Sequence, residues 1–226
     1  MFSVVFEVHP KAEKWDAYLG YAKMLRPELE KVEGFIDNIR YRSLTREGWL
    51  LSLSGWKNEK ALVRWRTKAV HHGVQEKGRA EVFHDYHLRV GQLIADTTPP
   101  NSVDLEEQRL DETETGDGTT ITLVDGKRST DWVKDAGAES AAKWLGLNTH
   151  DQGLVSWDVF DAVLSPGEII LLLSWRSNAD ARVFEKTRPL IGGVRTRRVR
   201  VIRDYGMHDR REAPQYYPDV SRDDTR

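Results

Sequence analysis

The sequence predicts an α+β fold in which two ferredoxin-like repeats, each with the element order β-α-β-β-α-β, close one barrel within a single chain. Three observations predict it. The chain repeats itself at one offset, strand-like and helix-like periods alternate within each copy, and an acidic segment separates the copies. A length of 226 residues leaves room for two units of about 100 residues and the segment between them.

The internal repeat keeps one ungapped register from Gly34 to Tyr86. Gly34 aligns with Gly153, an offset of 119 residues, and the same offset aligns further glycines, a tryptophan and an Asp-Tyr pair. The matches include Gly48 with Gly167, Trp56-Lys57 with Trp175-Arg176, Trp65 with Phe184, Arg79 with Arg198, and Asp85-Tyr86 with Asp204-Tyr205. A single offset that holds residues of several types over this length indicates two related units.

The first repeat begins with a strand and a helix. Apolar residues recur every second position, the period of a strand, at Phe2, Val4, Phe6 and Val8. Apolar residues at helical spacing follow at Trp15, Tyr18, Ala22, Leu25 and Leu29. Pro27 is expected to kink or shorten this helix, and Gly34 is placed to end it.

A hairpin, a second helix and a last strand complete the repeat. The alternation after Gly34 predicts a second strand, Glu47-Gly48 a turn, and residues 49–54 a third strand. Asn58 is an N-cap candidate for a helix that carries Trp65, and residues 82–90 predict the fourth strand. In the second copy, strands are predicted near residues 120–124, 154–163, 168–175 and 198–205.

The chain is therefore divided into a first repeat at residues 1–96, an acidic linker at 97–118, a second repeat at 119–209 and a polar C-terminal tail at 210–226. From Asp96 to Thr120 eight acidic residues stand against one basic residue, Arg109. A segment of this composition buries little apolar surface, so we expect it to run over the surface. The arginines that alternate along residues 195–203 are expected on a solvated or linker-facing side.

Charge and composition exclude several classes of protein. Lys and Arg total 34 against 36 Asp and Glu, a net charge of −2, which argues against a general nucleic-acid binder. The absence of cysteine excludes disulfides, thiolate metal sites and a cysteine nucleophile. The apolar run at residues 169–173 is far shorter than a membrane span, and the N-terminus lacks a signal-peptide pattern, so no membrane partner and a cytoplasmic location are predicted.

Two segments of the first repeat carry a family resemblance. One is the strand at residues 50–54 that runs into Trp56-Lys57-Asn58-Glu59-Lys60-Ala61-Leu62, and the other is Trp65…His71-x-x-x-Gln75…Arg79…Phe83-x-Asp85-Tyr86. Together they resemble the antibiotic biosynthesis monooxygenase family of dimeric α+β barrel proteins. The resemblance covers residues 1–96 well and 119–209 weakly. It implies that the two repeats pair as an intrachain version of this barrel, and it leaves a homodimer of the whole chain open.

The resemblance also implies a chemistry. It predicts an oxidoreductase, a cofactor-independent monooxygenase that oxidises a small aromatic or polyketide-type substrate with O2. The pocket is expected between the helices and the sheet of the first repeat. The sequence has no glycine-rich nucleotide fingerprint and no spacing that demands a metal site, so neither a cofactor nor a metal is predicted.

The candidate catalytic residues are His71, Gln75 and Trp65. His71 and Gln75 are four residues apart and share one helix face, and a histidine suits a general base because its ordinary pKa is about 6.5. Trp65 is expected to form an aromatic wall, and Gln75 to hold a substrate oxygen or to orient His71. The candidate substrate-binding residues are His72, Glu7, Asn38 and Leu62.

The second copy lacks this set, and three alternatives stay open. The offset places Leu190, Ile191, Val194 and Phe184 at the positions of His71, His72, Gln75 and Trp65, so we expect only the first repeat to hold a pocket. Heme-degrading relatives of the fold carry a histidine ten residues after the helix tryptophan, where this chain has Gln75. A non-heme metal site would need His87, Asp85 and a helix histidine to converge. A non-catalytic small-molecule-binding or assembly module is the third alternative.

Overall fold

Eight antiparallel strands close into one barrel in the computed structural model, which describes residues 1–100, 105–128, 137–188 and 191–221. The strands are β1 (Phe2–Pro10), β2 (Phe35–Ser43), β3 (Leu50–Trp56), β4 (Phe83–Asp96), β5 (Thr120–Lys127), β6 (Leu154–Ala162), β7 (Glu168–Trp175) and β8 (Arg195–Gly206). Their order around the barrel is β1-β3-β2-β6-β7-β5-β8-β4, with β4 paired to β1. The predicted α+β class is confirmed.

Five α-helices lie among the described residues: α1 (Trp15–Glu30), α2 (Glu59–Arg66), α3 (Ala69–Lys77), α4 (Ala138–Trp144) and α5 (Asn178–Thr187). The predicted N-cap of α2 is confirmed, because the side chain of Asn58 accepts a hydrogen bond of 2.9 Å from the backbone N–H of Ala61. One π-type turn, Gly78–Val82, joins α3 to β4. None of the described helices is long and apolar enough to cross a membrane.

The two halves of the barrel have the same strand order. The N-terminal half reads β4-β1-β3-β2 and the C-terminal half reads β8-β5-β7-β6. A short seam between β2 and β6 and a long seam between β4 and β8 join them. The prediction ended the fourth strand at residue 90, but β4 continues to Asp96 because β8 offers it a partner along that length. Gly91 is required there, since a Cβ would lie 2.4 Å from the carbonyl oxygen of Arg200.

The interior of the barrel is a shared apolar core. It contains buried side chains from every strand, among them Val5, Tyr41, Leu51, Leu93, Leu123, Phe160, Leu172 and Val201. Because side chains alternate along a strand, the residues on either side of Val5 in β1 point outward, toward the helices. Val4 and Phe6 accordingly pack under the helices of the N-terminal half. The barrel core therefore leaves the outer face of each half to be covered separately.

The described part of the acidic segment is bound to the long seam. The side chain of Gln92 on β4 accepts hydrogen bonds from the backbone N–H groups of Gln108 and Arg109, at 3.0 and 2.8 Å. Arg200 on β8 donates to the carbonyl oxygen of Arg109 and pairs with Glu107. Arg200 thus faces this segment, whereas Arg195, Arg197 and Arg198 pair with Asp96, Asp125 and Glu185 outside it. Residues 101–104 of the predicted linker lie outside the described part of the chain.

Candidate active site

A cavity of about 210 Å³ lies in the N-terminal half, between helices α1–α3 and the outer face of β1–β4. Its walls are mostly aromatic and aliphatic, as is typical of small-molecule sites. Five residues that the sequence predicted for the site line it: Trp65, Leu62, His71, Gln75 and Asn38. The structure therefore brings these five side chains to one cavity.

The floor of the cavity is partly polar. On β2 and β3 the outward positions hold Asn38, Arg40, Ser52 and Ser54, whereas β1 and β4 present apolar side chains there. The amide nitrogen of Asn38 donates to the hydroxyl of Ser52 at 2.9 Å and to the carbonyl oxygen of Leu53 at 3.2 Å. Asn38 is thus held in one orientation by the neighbouring strand, and the polar strip crosses an otherwise apolar face.

His71 is fixed against Trp65 at the helix side of the cavity. The imidazole stacks on the indole with 4.2 Å between ring centroids, and Nδ1 lies 3.1 Å from the carbonyl oxygen of Trp65. A carbonyl oxygen only accepts hydrogen bonds, so Nδ1 carries the proton and the neutral ring keeps an unprotonated Nε2. Burial lowers the pKa of His71 to about 4, against the opposing effect of the Trp65 carbonyl. At neutral pH His71 is therefore an uncharged acceptor of known tautomer.

Gln75 and His72 meet through a residue that the sequence analysis missed, Tyr217. The Tyr217 hydroxyl donates to Oε1 of Gln75 at 3.1 Å and lies 3.0 Å from Nδ1 of His72. His72 also stacks on the Tyr217 ring, with 5.3 Å between centroids. Gln75 lines the cavity, but His72 stands behind Tyr217 and is not part of the lining. The predicted substrate contact of His72 is therefore corrected to a support for Tyr217.

Glu7 does not reach the cavity. It follows Phe6 in β1, and the alternation that points Phe6 toward the helices points Glu7 into the barrel. There its carboxylate pairs with Arg89 and, at 2.5 Å, with Arg46. Burial raises the pKa of Glu7, but the charges of Arg89 and Arg46 outweigh that effect and hold the pKa below its ordinary value. The predicted substrate-binding role of Glu7 is corrected to an ion pair inside the barrel.

The C-terminal segment, residues 207–221, closes one end of the cavity. The guanidinium of Arg79 donates to the carbonyl oxygens of Met207 and Pro218, at 3.0 and 3.3 Å. The backbone N–H of Met207 donates to the carbonyl oxygen of Tyr86. Tyr217 is only 8% exposed and lines the cavity. The sequence showed this segment only as a polar tail, and residues 222–226 lie outside the described part. The segment that follows the second half thus completes a wall of the first.

The described residues do not favour a metal or heme site. No group of three or more His, Asp or Glu that could hold a metal ion occurs among them. At the tenth position after Trp65 stands Gln75, whose side-chain oxygen accepts the bond from Tyr217, and an amide is not among the usual axial ligands of heme iron. Neither alternative gains support from the geometry.

The chain is similar to several known proteins. Residues 1–77 match the family model described as "Antibiotic biosynthesis monooxygenase". A protein of Pyricularia oryzae named "Jasmonate monooxygenase ABM" is 48% identical over 227 residues, covering 98% of this chain and 100% of that protein. Among solved structures, a putative monooxygenase from Lactobacillus acidophilus is 11% identical with a TM-score of 0.39, covering 90% of this chain and 94% of that one. An anthrone oxidase-like protein is 12% identical with a TM-score of 0.34, covering 95% and 96%.

Proposed function

The chain belongs to the antibiotic biosynthesis monooxygenase family, and from that premise we propose that it oxidises a small organic substrate with O2 in the cavity of its N-terminal half. One observation carries the proposal. His71 lines an aromatic-walled cavity and keeps Nε2 unprotonated, while Trp65 fixes the ring by stacking and by a carbonyl oxygen that accepts from Nδ1. A base of fixed tautomer beside an apolar cavity suits proton removal from carbon.

The reaction needs no electrons beyond those of the substrate. His71 Nε2 takes a proton from a C–H bond, and the carbanion gives electrons to O2 as the new C–O bond forms. The resulting peroxide takes the proton back, then loses water as its O–O bond and the second C–H bond break. A CH2 group and O2 thus become a carbonyl group and water. Trp65 and the aliphatic side chains around it exclude solvent from the carbanion.

The low pKa of His71 limits the class of substrate. A base whose pKa is about 4 is fully unprotonated at neutral pH but takes a proton only from an acidic C–H bond. The substrate therefore carries a carbonyl or an electron-rich aromatic ring beside the reacting carbon, and its anion is stabilised by the positive charges around the cavity. Anthrones meet this condition. A jasmonate, the compound for which the Pyricularia oryzae relative is named, is a cyclic ketone whose α C–H bond is much less acidic, so loss of its proton would depend on stabilisation of the enolate by those positive charges.

We also propose that the barrel is an intrachain pair of repeats, residues 1–96 and 119–209. The identical strand order of the two halves and their two antiparallel seams support it. The Trp at the end of the third strand of each half, Trp56 and Trp175, is buried and donates its indole N–H to a hydroxyl, that of Ser54 or of Thr122, at 3.0 Å. Whether the whole chain pairs with a second copy stays a prediction.

Oxygen uptake tests the function directly. The purified chain is mixed with an anthrone or with jasmonic acid, and O2 consumption and product mass are followed. We expect O2 uptake, with the oxidised product, for at least one of these substrates. His71→Ala should abolish it, whereas the matched control His150→Ala, on an exposed loop of the other half, should keep the wild-type rate. Turnover that survives in His71→Ala would overturn the proposed role of His71.

A further inference from the structure

We infer that one end of the cavity is an anion subsite, formed by Arg66, Arg79 and Arg210 with Tyr86, Tyr205 and Tyr217, that takes the carboxylate of an amphipathic organic acid. These six residues, the arginine–tyrosine cluster, all line the cavity. The inference rests on the proposed function for the statement that this cavity holds the substrate. It adds to that function the charge of the substrate and the residues that recognise it.

Two guanidinium groups converge on one phenol at this end of the cavity. Nη1 of Arg79 and Nη1 of Arg210 both donate to the Tyr86 hydroxyl oxygen, at 2.8 and 2.6 Å. Aromatic faces hold them in place, since Arg79 lies 5.6 Å and Arg210 5.5 Å from the centre of the Tyr217 ring. Two positive charges beside one neutral oxygen repel each other, and a bound anion relieves that repulsion.

No described carboxylate neutralises the three arginines of the cluster. None of them forms an ion pair within the part of the chain that the structure describes, whereas Arg195, Arg197 and Arg198 on β8 each pair with an acid. Arg79 is only 5% exposed, and the Nε atoms of Arg66 and Arg79 are buried without a hydrogen-bond partner. Arg79 is buried, and Arg66 and Arg210 are partly buried. Arg79 and Arg210 also donate to backbone carbonyl oxygens, but these neutral acceptors leave the charges unpaired, and a bound anion would neutralise them.

The other charged and titratable groups near the cluster do not neutralise the positive charge of its arginines. Burial raises the pKa of Tyr205 to about 12 and also raises the pKa of Tyr217, so neither phenol is ionised at neutral pH. Among the described residues, the exposed Glu76 is the acid whose charge acts on Tyr217. Elsewhere in the lining, Glu30 is the one acidic residue and it pairs with Arg26.

The lining of the rest of the cavity determines which chemical groups the rest of the ligand can carry. From the cluster the lining continues over Val4, Phe6, Leu88 and Val90 on the sheet and Leu25, Leu62 and Trp65 on the helices. A ligand that fills it is apolar along its body and anionic at one end. The planar guanidinium groups match a carboxylate, which they can bind through two parallel hydrogen bonds. Binding at this end directs the apolar body of the acid toward His71.

Acids compared with their methyl esters test the subsite by isothermal titration calorimetry. The probes are jasmonic acid with methyl jasmonate and naphthylacetic acid with its methyl ester. We expect at least one acid to bind about tenfold or more tightly than its ester, because charge-assisted hydrogen bonds to arginine are lost in the ester. Equal affinity for acid and ester in both pairs, or no binding of either acid, would overturn the inference.

Variants separate recognition from folding. Arg210→Gln should weaken acid binding about tenfold and leave ester binding within about twofold, whereas its exposed neighbour Arg211, paired with Asp209, gives the control Arg211→Gln with no change. Arg66→Gln should act like Arg210→Gln, and it removes no side-chain hydrogen bond that the described residues show. Equal losses for acid and ester in both variants would show that these arginines only support the wall.

The outcome is distinguishable from that of the proposed function. Binding is measured without turnover, so a clear preference for the acid combined with no O2 uptake would keep the subsite and remove the monooxygenase proposal. Oxygen uptake that is equally efficient with acid and ester would keep the monooxygenase proposal and remove the subsite.

Discussion

The two halves of the barrel share a strand order but use the space between helices and sheet in opposite ways. In the C-terminal half Phe184 packs on Trp175 with 5.2 Å between ring centroids, and both are at most 2% exposed. At the equivalent places in the N-terminal half, Trp65 lines a cavity and stacks on His71. Val194 joins the apolar cluster where the first half has Gln75, while Leu190, at the position of His71, lies outside the described residues.

This difference shows how one scaffold can separate stability from binding. In the C-terminal half, apolar side chains fill the space between the helices and the outer face of the sheet. The segment that follows this half then contacts the N-terminal half and closes its cavity. In the N-terminal half this space is packed less completely and contains the cavity beside Trp65 and His71. Buried apolar contact is the main source of stability, so the two halves should respond differently to the same kind of substitution.

The largest expected effect on stability comes from removing a buried ring from the C-terminal half. Phe184→Ala should lower the free energy of unfolding by roughly 3–5 kcal/mol, because it removes a fully buried ring and leaves a void. Trp65→Ala should lower it less, since one side of Trp65 already faces a cavity, but should remove most ligand binding. Urea unfolding with calorimetric binding checks both. Equal losses of stability would contradict the division between the halves.

The second effect concerns the ion pairs inside the barrel, which join the halves. Arg46 bridges Glu7 of one half and Asp158 of the other, and Arg89 binds Glu7 and Ser174. Glu7→Gln leaves Arg89 buried without its partner and should cost about 3 kcal/mol of unfolding free energy.

Because the pKa of Glu7 is lowered, the effect of Glu7→Gln on the unfolding free energy should depend on pH. A carboxyl group with a lowered folded pKa stabilises the fold above its ordinary pKa of 4.5, and that contribution is lost as the pH falls. The cost of Glu7→Gln should therefore shrink as urea unfolding is repeated from pH 7 toward pH 3. A cost that does not change with pH would show that the carboxylate charge is not what matters.

The third effect is a pH dependence specific to the N-terminal half. The folded pKa of His71 is about 4 and lies below its ordinary value of 6.5, so the folded state disfavours the charged ring. Stability is full above pH 6.5 and falls as the pH decreases toward 4, by about 2 kcal/mol at pH 5. His71→Phe should reduce this slope between pH 7 and pH 5, measured by urea unfolding, while His9, whose pKa burial also lowers, contributes equally to both proteins. An unchanged slope would refute the lowered pKa of His71.

The smallest effect tests the contribution of the C-terminal segment. Tyr217→Phe removes the hydroxyl that bridges Gln75 and His72 while keeping the ring on His72. One neutral hydrogen bond is worth about 1 kcal/mol, so ligand affinity should fall about fivefold with little change in overall stability. Tyr216→Phe, at the exposed neighbouring residue, is the control. A Tyr217 variant with wild-type affinity would show that the bridge does not shape the cavity.

Local patterns in the sequence predicted most of the strands and several of the helices. Periods of two and of 3.6 residues located the strands and helices, and the spacing of His71 and Gln75 placed both on one face of α3. The two-residue period of β1 also indicates that Glu7 points into the barrel, because it follows Phe6, whose side chain points toward the helices. The break between α2 and α3 falls at residues 67 and 68, neither of which is a glycine or a proline, so the local sequence did not predict it.

What the sequence could not show depends on contacts between distant residues. Arg79 binds Met207 and Pro218, more than 120 residues away, and Tyr217 reaches Gln75 across a similar separation. No local period encodes such contacts, so the C-terminal segment had the composition of a polar tail. The extension of β4 to Asp96 likewise exists only because β8 lies beside it.

A crystal structure of the chain with the best-binding organic acid, prepared without O2 so that turnover stops, tests the central claim most directly. We expect the acid in the N-terminal cavity, with its carboxylate on the arginine–tyrosine cluster and its reacting carbon within reach of Nε2 of His71. An acid bound in the C-terminal half, inside the barrel or on the outer surface, with the cavity beside Trp65 and His71 left empty, would contradict it.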